Sequence, residues 1–106
     1  MTSDRDHIND LLDFYGDLLT KHQRDVFGDY YREDLSMQEI AENYQVSKAA
    51  VSDLIKRTLK QLEDYESKLH MIDQFRKIDE LVSKMNQEKD DLVRGYAIEL
   101  DRLNRG

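Results

Sequence analysis

The 106-residue sequence contains no cysteine, no proline and no tryptophan, and only four glycines. Without cysteine, the chain can form neither disulfides nor thiolate-ligated zinc sites. Folds built from strands and tight turns need frequent glycine and proline, so these shortages argue against an all-β protein. A chain in which 37% of the residues are charged suits helices with solvated faces instead.

Long apolar runs are also missing. No segment approaches the roughly 20 consecutive apolar residues that a membrane-spanning helix needs. The N-terminal sequence MTSDRDHINDLL is acidic and lacks the basic-then-apolar layout of a secretory signal. We therefore expect a cytoplasmic protein with no membrane partner.

Charge is distributed unevenly along the chain, whose formal net charge is −7. Residues 1–45 hold eleven acidic and four basic groups, and residues 78–106 hold seven and five. Between them, residues 46–77 hold seven basic and five acidic groups. A negative net charge opposes non-specific binding to nucleic acid. Any nucleic-acid contact is therefore expected in the middle segment, most of all within 47–60.

Apolar periodicity and helix-capping residues predict four helices in the first two thirds of the chain. The pairs Thr20/Gln23 and Ser36/Glu39 have the spacing of capping boxes, in which each side chain bonds the other residue's backbone N–H. Ser47 is a third cap. The predicted helices are 8–19, 20–32, 36–44 and one that starts at Ser47.

The remaining chain shows apolar residues at a spacing near 3.5, which predicts one or two long helices that need a partner helix. The segment NQEKDD (86–91) is the expected break, and Gly95 is a second weak point. We predict a domain at 1–67 and a helical extension at 68–106. This stripe forms either a homodimer interface or a contact with the chain's own N-terminal helices. Its members are Leu62, Tyr65, Leu69, Ile72, Phe75, Ile78/Asp79, Val82, Met85, Lys89, Leu92, Tyr96, Leu100 and Leu103.

The run LSMQEIAENYQVSKAAVSDLIKRTL (35–59) reads as a short capped helix, a tight turn and a second capped helix. This arrangement is typical of a helix-turn-helix, whose second helix lies in the DNA major groove. We predict Lys48, Lys56 and Arg57 on phosphates, and Ser47 and Ser52 nearest the bases. The predicted nucleic-acid-binding residues are Ser47, Lys48, Ala49, Ser52, Asp53, Lys56, Arg57 and Lys60.

The segment LLTKHQRDVFGDYYREDLSMQEIAENYQVSKAAVSDLIKRTLKQLEDYE resembles region 4 of bacterial sigma factors. With the preceding LLDFYGDLL, the chain more closely resembles the YlxM family, small bacterial helix-turn-helix proteins encoded beside the signal recognition particle GTPase. The resemblance implies an all-α fold of the winged-helix-like DNA-binding superfamily and a role in transcription regulation. It also implies partners from the particle's pathway: DNA, the particle's RNA or its GTPase.

The sequence departs from standard sigma-like motifs at three positions. Gln45 occupies the turn position where glycine is usual, which predicts a strained or shifted turn. Leu54 stands where such motifs often carry a polar or basic contact. Asp53 places a negative charge on the face that should meet DNA, where phosphates would repel it.

Several alternative interpretations remain open from the sequence. The helix-turn-helix can serve as a scaffold or protein-binding surface, because fold alone does not fix function. Tyr30 and Tyr31 could stack on bases, but their helical spacing favours a place in the core. His70 and Asp73 lie one turn apart without a third metal ligand at matching spacing. No phosphate loop or nucleophile–base pattern is present, so we expect neither an enzyme nor a cofactor.

We therefore predict an all-α, homodimeric helix-turn-helix regulator that binds nucleic acid, with DNA as the expected target. The alternative is an accessory factor that binds a protein or ribonucleoprotein of the signal recognition particle through its acidic N-terminal half.

Overall fold

The computed structural model describes residues 4–106, and every regular element in that range is helical, as predicted. Two compact units divide the chain, one ending at Leu69 and the other spanning His70–Gly106. No helix among the described residues combines the length and apolar character needed to cross a bilayer. The elements are α1 (Asp4–Tyr15), a 3₁₀ turn (Gly16–Leu18), α2 (Lys21–Tyr31), α3 (Met37–Tyr44), α4 (Lys48–Leu69), α5 (Met71–Asn86) and α6 (Asp91–Arg105).

The starts of α2 and α3 confirm the predicted capping boxes. The Thr20 hydroxyl accepts from the Gln23 N–H at 3.1 Å, and the Gln23 side chain accepts from the Thr20 N–H at 3.0 Å. Ser36 and Glu39 repeat the pattern at 3.0 and 3.2 Å. Caps satisfy backbone donors that a helix leaves without partners, so these local sequences fix where the helices begin.

The first helix differs from its predicted span of 8–19. It begins at Asp4 and gives way to the 3₁₀ turn at Gly16. The Leu19 backbone is extended, with φ −84° and ψ 156°, and its N–H bonds the Gly16 carbonyl. Leu19 nevertheless stays buried. The apolar spacing therefore continues past the end of the α-helix, which is why the sequence predicted a helix that ends at residue 19.

The core of the N-terminal unit forms where α1, α2 and α3 pack on α4. Burial of each large apolar side chain stabilises the fold by about 1.5–3 kcal/mol. The buried Tyr15 also donates a hydrogen bond from its hydroxyl to Glu66 of α4. Because α4 contacts all three other helices, its orientation is fixed along its length. The fully buried large side chains are Tyr15, Phe27, Leu11, Ile40, Leu62 and Thr58.

The C-terminal unit is an antiparallel hairpin of α5 and α6. Asn104 near the end of α6 donates to the Phe75 carbonyl near the start of α5, at 3.2 Å. Arg105 bonds Asp79 at 2.7 Å. The connection 87–90 confirms the predicted break, and the Asp90 side chain caps α6 by accepting from the Leu92 N–H at 2.8 Å. Gly95, in contrast, lies inside α6 without interrupting it.

On α6, the predicted apolar stripe is not the side of the helix that packs against α5. The residue buried there is Ala97, whereas Leu92, Tyr96 and Leu103 are 63%, 57% and 75% exposed. The chain reverses direction between the two helices. The apolar spacing along α5 therefore does not determine which side of α6 packs against it. A small side chain at Ala97 allows the two backbones to approach closely.

Thr58 of α4 provides a test of the N-terminal core. Its buried hydroxyl has no hydrogen-bond partner among the described residues. A buried polar group without a partner destabilises the folded state, and valine has nearly the same shape. We expect Thr58→Val to raise the free energy of unfolding by about 1 kcal/mol in urea denaturation. Thr58→Ala, which leaves a cavity, should lower it. A lower stability for Thr58→Val would contradict this account of the core.

Candidate nucleic-acid interface

The turn between α3 and α4 is built around Gln45. This residue adopts the left-handed conformation, with φ 57° and ψ 45°. Its N–H bonds the Ala41 and Glu42 carbonyls, and the Val46 N–H bonds the Ala41 carbonyl at 3.0 Å. These bonds form a Schellman motif, which glycine usually completes because it has no Cβ. The turn is therefore not shifted, and glutamine occupies the left-handed position where glycine is usual.

The beginning of α4 is capped as the sequence predicted. The Ser47 hydroxyl accepts from the Ala50 N–H at 3.0 Å, and the Ser47 carbonyl accepts from the Val51 N–H at 3.2 Å. Val51 and Ile55 are buried and hold this part of α4 against the rest of the unit. Helix starts attract anions through their unpaired N–H groups and the helix dipole.

The predicted contact residues share the solvent-facing side of α4, which we call the α4 outer face. Seven of them are exposed and Ser52 is half-buried. The structure thus brings together on one surface all the side chains that the sequence nominated. The α4 outer face consists of Ser47, Lys48, Ala49, Ser52, Asp53, Lys56, Arg57 and Lys60.

Charges on the α4 outer face are only partly neutralised. Arg57 Nε lies 2.9 Å from Asp53 Oδ2, one helical turn away. Both side chains are largely exposed, so the pair adds little stability, but it occupies a guanidinium that could otherwise meet a phosphate. Within residues 4–106, the three lysines of the face form no ion pair. Those lysines are Lys48, Lys56 and Lys60.

Leu54 faces the turn and not the solvent side of α4. It is half-buried and lines a cavity of about 60 Å³ together with His22, Tyr44, Val46 and Val51. Leu54 therefore supports the turn, which explains an apolar residue at that position. The Val46 side chain, which also lines this cavity, remains 46% exposed.

The end of α3 is attached to α2 by a contact that the sequence did not reveal. The Tyr44 hydroxyl donates to Asp29 Oδ2 at 3.2 Å. Burial raises the pKa of the Tyr44 phenol above its ordinary value, and the negative charge of Asp29 raises it further. The phenol therefore stays protonated near neutral pH and can donate this bond. The spacing of residues in the sequence cannot reveal a contact between two separate helices.

A second feature of the N-terminal unit is a groove of about 630 Å³. Ion pairs lie at its rim: Arg5 contacts Asp34, and His7 Nε2 lies 2.5 Å from Glu63 Oε1. Its other lining residues are Asp4, Ile8, Tyr30, Tyr31, Leu35 and Leu59.

Both tyrosines of the groove pack against other aromatic rings. The Tyr31 ring lies 4.6 Å from that of Phe27 and 4.9 Å from that of Tyr30. Burial raises the pKa of Tyr31. Both side chains are half-buried and form walls of the groove. Their burial is intermediate between the core position that the sequence favoured and an exposed ring that could stack on bases.

Metal ligands do not converge anywhere in the part of the chain that the structure describes. Within it, no three His, Cys, Asp or Glu side chains lie close enough together to hold a metal ion. His70 has a left-handed backbone, with φ 54° and ψ 29°, and precedes α5, where Asp73 pairs with Lys77 at 2.9 Å.

Comparison with known proteins agrees with this geometry. Residues 2–97 match the UPF0122 family, described as "Putative helix-turn-helix protein, YlxM / p13 like". Similar curated proteins are the UPF0122 proteins of Bacillus thuringiensis (strain Al Hakam), Bacillus cereus (strain Q1) and Bacillus anthracis (strain A0248). Each is 49% identical over 80 residues, which cover 76% of this chain and 73% of the relative. The resemblance to the YlxM family is thereby confirmed.

The left-handed turn residue can be tested by substitution. Gln45→Gly should raise the free energy of unfolding by about 0.5–1 kcal/mol, because the relief of left-handed strain exceeds the added flexibility of the unfolded chain. Gln38→Gly makes the same replacement inside α3 and should lower stability instead. Equal losses for both variants in urea denaturation would show that the turn carries no strain.

Proposed function

This chain belongs to the UPF0122 family of YlxM / p13-like helix-turn-helix proteins, and on that basis we propose that it binds duplex DNA through the α4 outer face as a regulatory protein. The pathway that the family resemblance implies is that of the signal recognition particle. We propose a cytoplasmic homodimer that regulates or assists this pathway.

The observation that carries the proposal is the charge of the α4 outer face. On a chain of net charge −7, residues 47–60 combine four basic side chains with one acidic side chain. Lysine and arginine bind phosphates and release condensed counterions, which is the main source of affinity for DNA. A helix about 10–12 Å across fits a major groove about 12 Å wide.

Different parts of the α4 outer face would serve different contacts. Lys48, Lys56 and Lys60 would bind phosphates, since no ion pair within the described residues occupies them. Ser47, Ala49 and Ser52 lie along the first turns of α4, whose N-terminal residues approach base edges in this motif. Phosphate contacts position the protein, whereas base contacts select sequence.

The small number of basic groups limits the affinity of a single copy. About three phosphate contacts, one for each lysine of the α4 outer face, give a slope near −2.7 for log K against log salt, which is shallow for a DNA-binding protein. Two linked copies would bind better, because attachment of the first recognition helix raises the effective concentration of the second. A homodimer therefore fits this weakly basic interface.

The groove favours a second candidate function, the binding of a basic protein or ribonucleoprotein partner. Its walls include Ile8, Tyr30 and Leu59, and it lies on the N-terminal half that holds eleven acidic and four basic residues. The particle's GTPase, alone or with its RNA, is the partner of this class that the resemblance implies. Pull-down of that GTPase with and without RNA, compared with a DNA mobility shift, separates the two functions.

Removal of two lysines tests the DNA-binding proposal. The double variant Lys48→Ala/Lys56→Ala should weaken duplex DNA binding roughly tenfold at low salt and reduce the salt slope by about two. Fluorescence anisotropy at several salt concentrations measures both quantities. The matched control is Lys21→Ala/Lys68→Ala, which changes net charge equally at exposed positions away from the α4 outer face. Equal weakening by both variants would show that net charge alone, and not this face, governs binding.

The Asp53–Arg57 pair provides an independent test. Asp53→Asn removes a charge that repels phosphates and releases the Arg57 guanidinium, so DNA affinity should rise severalfold and the salt slope should steepen by about one. Asp64→Asn is the control, because Asp64 pairs with Lys68 at the same spacing and the same 2.9 Å distance farther along α4. Unchanged affinity in Asp53→Asn would place the DNA elsewhere.

A further inference from the structure

The α5–α6 hairpin carries an exposed apolar surface. On α6, Leu92, Tyr96 and Leu103 are 63%, 57% and 75% exposed. On α5, Leu81 is 52% exposed and Ile78 and Met85 are half-buried. We call these six residues the hairpin face.

Helix geometry places all six residues on the same side of the hairpin. At about 100° per residue, Leu92, Tyr96 and Leu103 all lie on one side of Ala97, roughly a third of a turn from it, and Ala97 faces α5. Leu81 and Met85 are displaced in the same rotational sense from the buried Val82 of α5. Because the helices are antiparallel, displacements in the same rotational sense bring residues to the same side of the pair. The hairpin face is therefore one continuous surface and not two separate stripes.

The C-terminal unit lacks the core that a free-standing domain needs. It spans only His70–Gly106, below the roughly 40 residues at which domains commonly fold without disulfides, metals or oligomerisation. Its buried side chains are Ile72, Val82 and Ala97. The chain has no cysteine, and no metal cluster exists among the described residues. Association with a further apolar surface is a usual source of stability for a unit of this size.

Charges at the edges of the hairpin face indicate what covers it. Lys84 lies on the α5 edge and Glu99 on the α6 edge, one helical turn beyond the apolar residues in each case. A two-fold arrangement that sets α5 of one copy against α6 of another brings these opposite charges together. An anionic membrane is a poorer match, because residues 78–106 hold seven acidic and five basic groups.

We propose that a second copy of this chain covers the hairpin face, so that two hairpins form a four-helix bundle with two-fold symmetry. Each copy buries Leu92, Tyr96 and Leu103 against the partner, and the C-terminal unit gains the core that it lacks alone. The four-helix bundle specifies the interface of the homodimer in the proposed function, and it rests on that proposal. The bundle forms without DNA.

Light scattering of the full chain at tens of micromolar tests the bundle. The unmodified chain should show twice the monomer mass, and Leu92→Asp/Leu103→Asp should show the monomer mass. Ile98→Asp is the matched control, because Ile98 is 58% exposed on the same helix but lies outside the hairpin face. It should remain dimeric. Leu103→Ala, which preserves helix propensity, should raise the dimer dissociation constant at least fivefold.

Circular dichroism adds a second readout, since the helicity of the hairpin should fall when the unmodified chain is diluted below its dimer dissociation constant. A monomer mass with undiminished helicity for the unmodified chain would overturn the proposal. A dimer that survives Leu92→Asp/Leu103→Asp, or that Ile98→Asp also disrupts, would overturn the assignment of the face. A stable dimer that binds no DNA would instead contradict only the DNA-binding function.

Discussion

The structure of the N-terminal unit depends on the burial of one side of α4 beneath α1, α2 and α3. Val51, Ile55 and Leu62 are buried along this side, and they fix the rotation of the helix about its own axis. The opposite side, with Lys48 and Lys56, must then face solvent. The position of the candidate interface is thus a consequence of packing, and the cap at Ser47 and the left-handed turn at Gln45 set where the interface begins.

Electrostatics limits what this interface can do. An acidic chain repels nucleic acid at long range, and the basic side chains of α4 must outweigh that repulsion at contact. The Asp53–Arg57 pair reduces the positive charge further without stabilising the helix much. These features favour modest affinity, a shallow dependence on salt concentration and a benefit from two linked copies. They also leave room for a partner at the groove, where the surrounding half of the chain is acidic.

The sequence predicted best those features that short stretches determine. The boxes Thr20/Gln23 and Ser36/Glu39, the cap at Ser47 and the break before Asp91 follow from residues within a few positions of each other. The sequence also identified Gln45 as an unusual turn residue. It could not show that Tyr44 bonds Asp29, that Leu54 faces the turn, or that Ala97 faces α5. Those contacts depend on how separate helices meet, and an apolar period near 3.5 does not specify which partner each helix selects.

The most direct test of the central claim is the location of the DNA contact in the unmodified protein. Backbone amide chemical shifts can be recorded by NMR spectroscopy at low salt as duplex DNA is added. Changes concentrated in residues 47–60, which reverse as salt is raised, are the result that this account predicts. Changes concentrated around Arg5, Tyr31 and Glu63 at the groove, or no changes at micromolar to millimolar DNA, would contradict it.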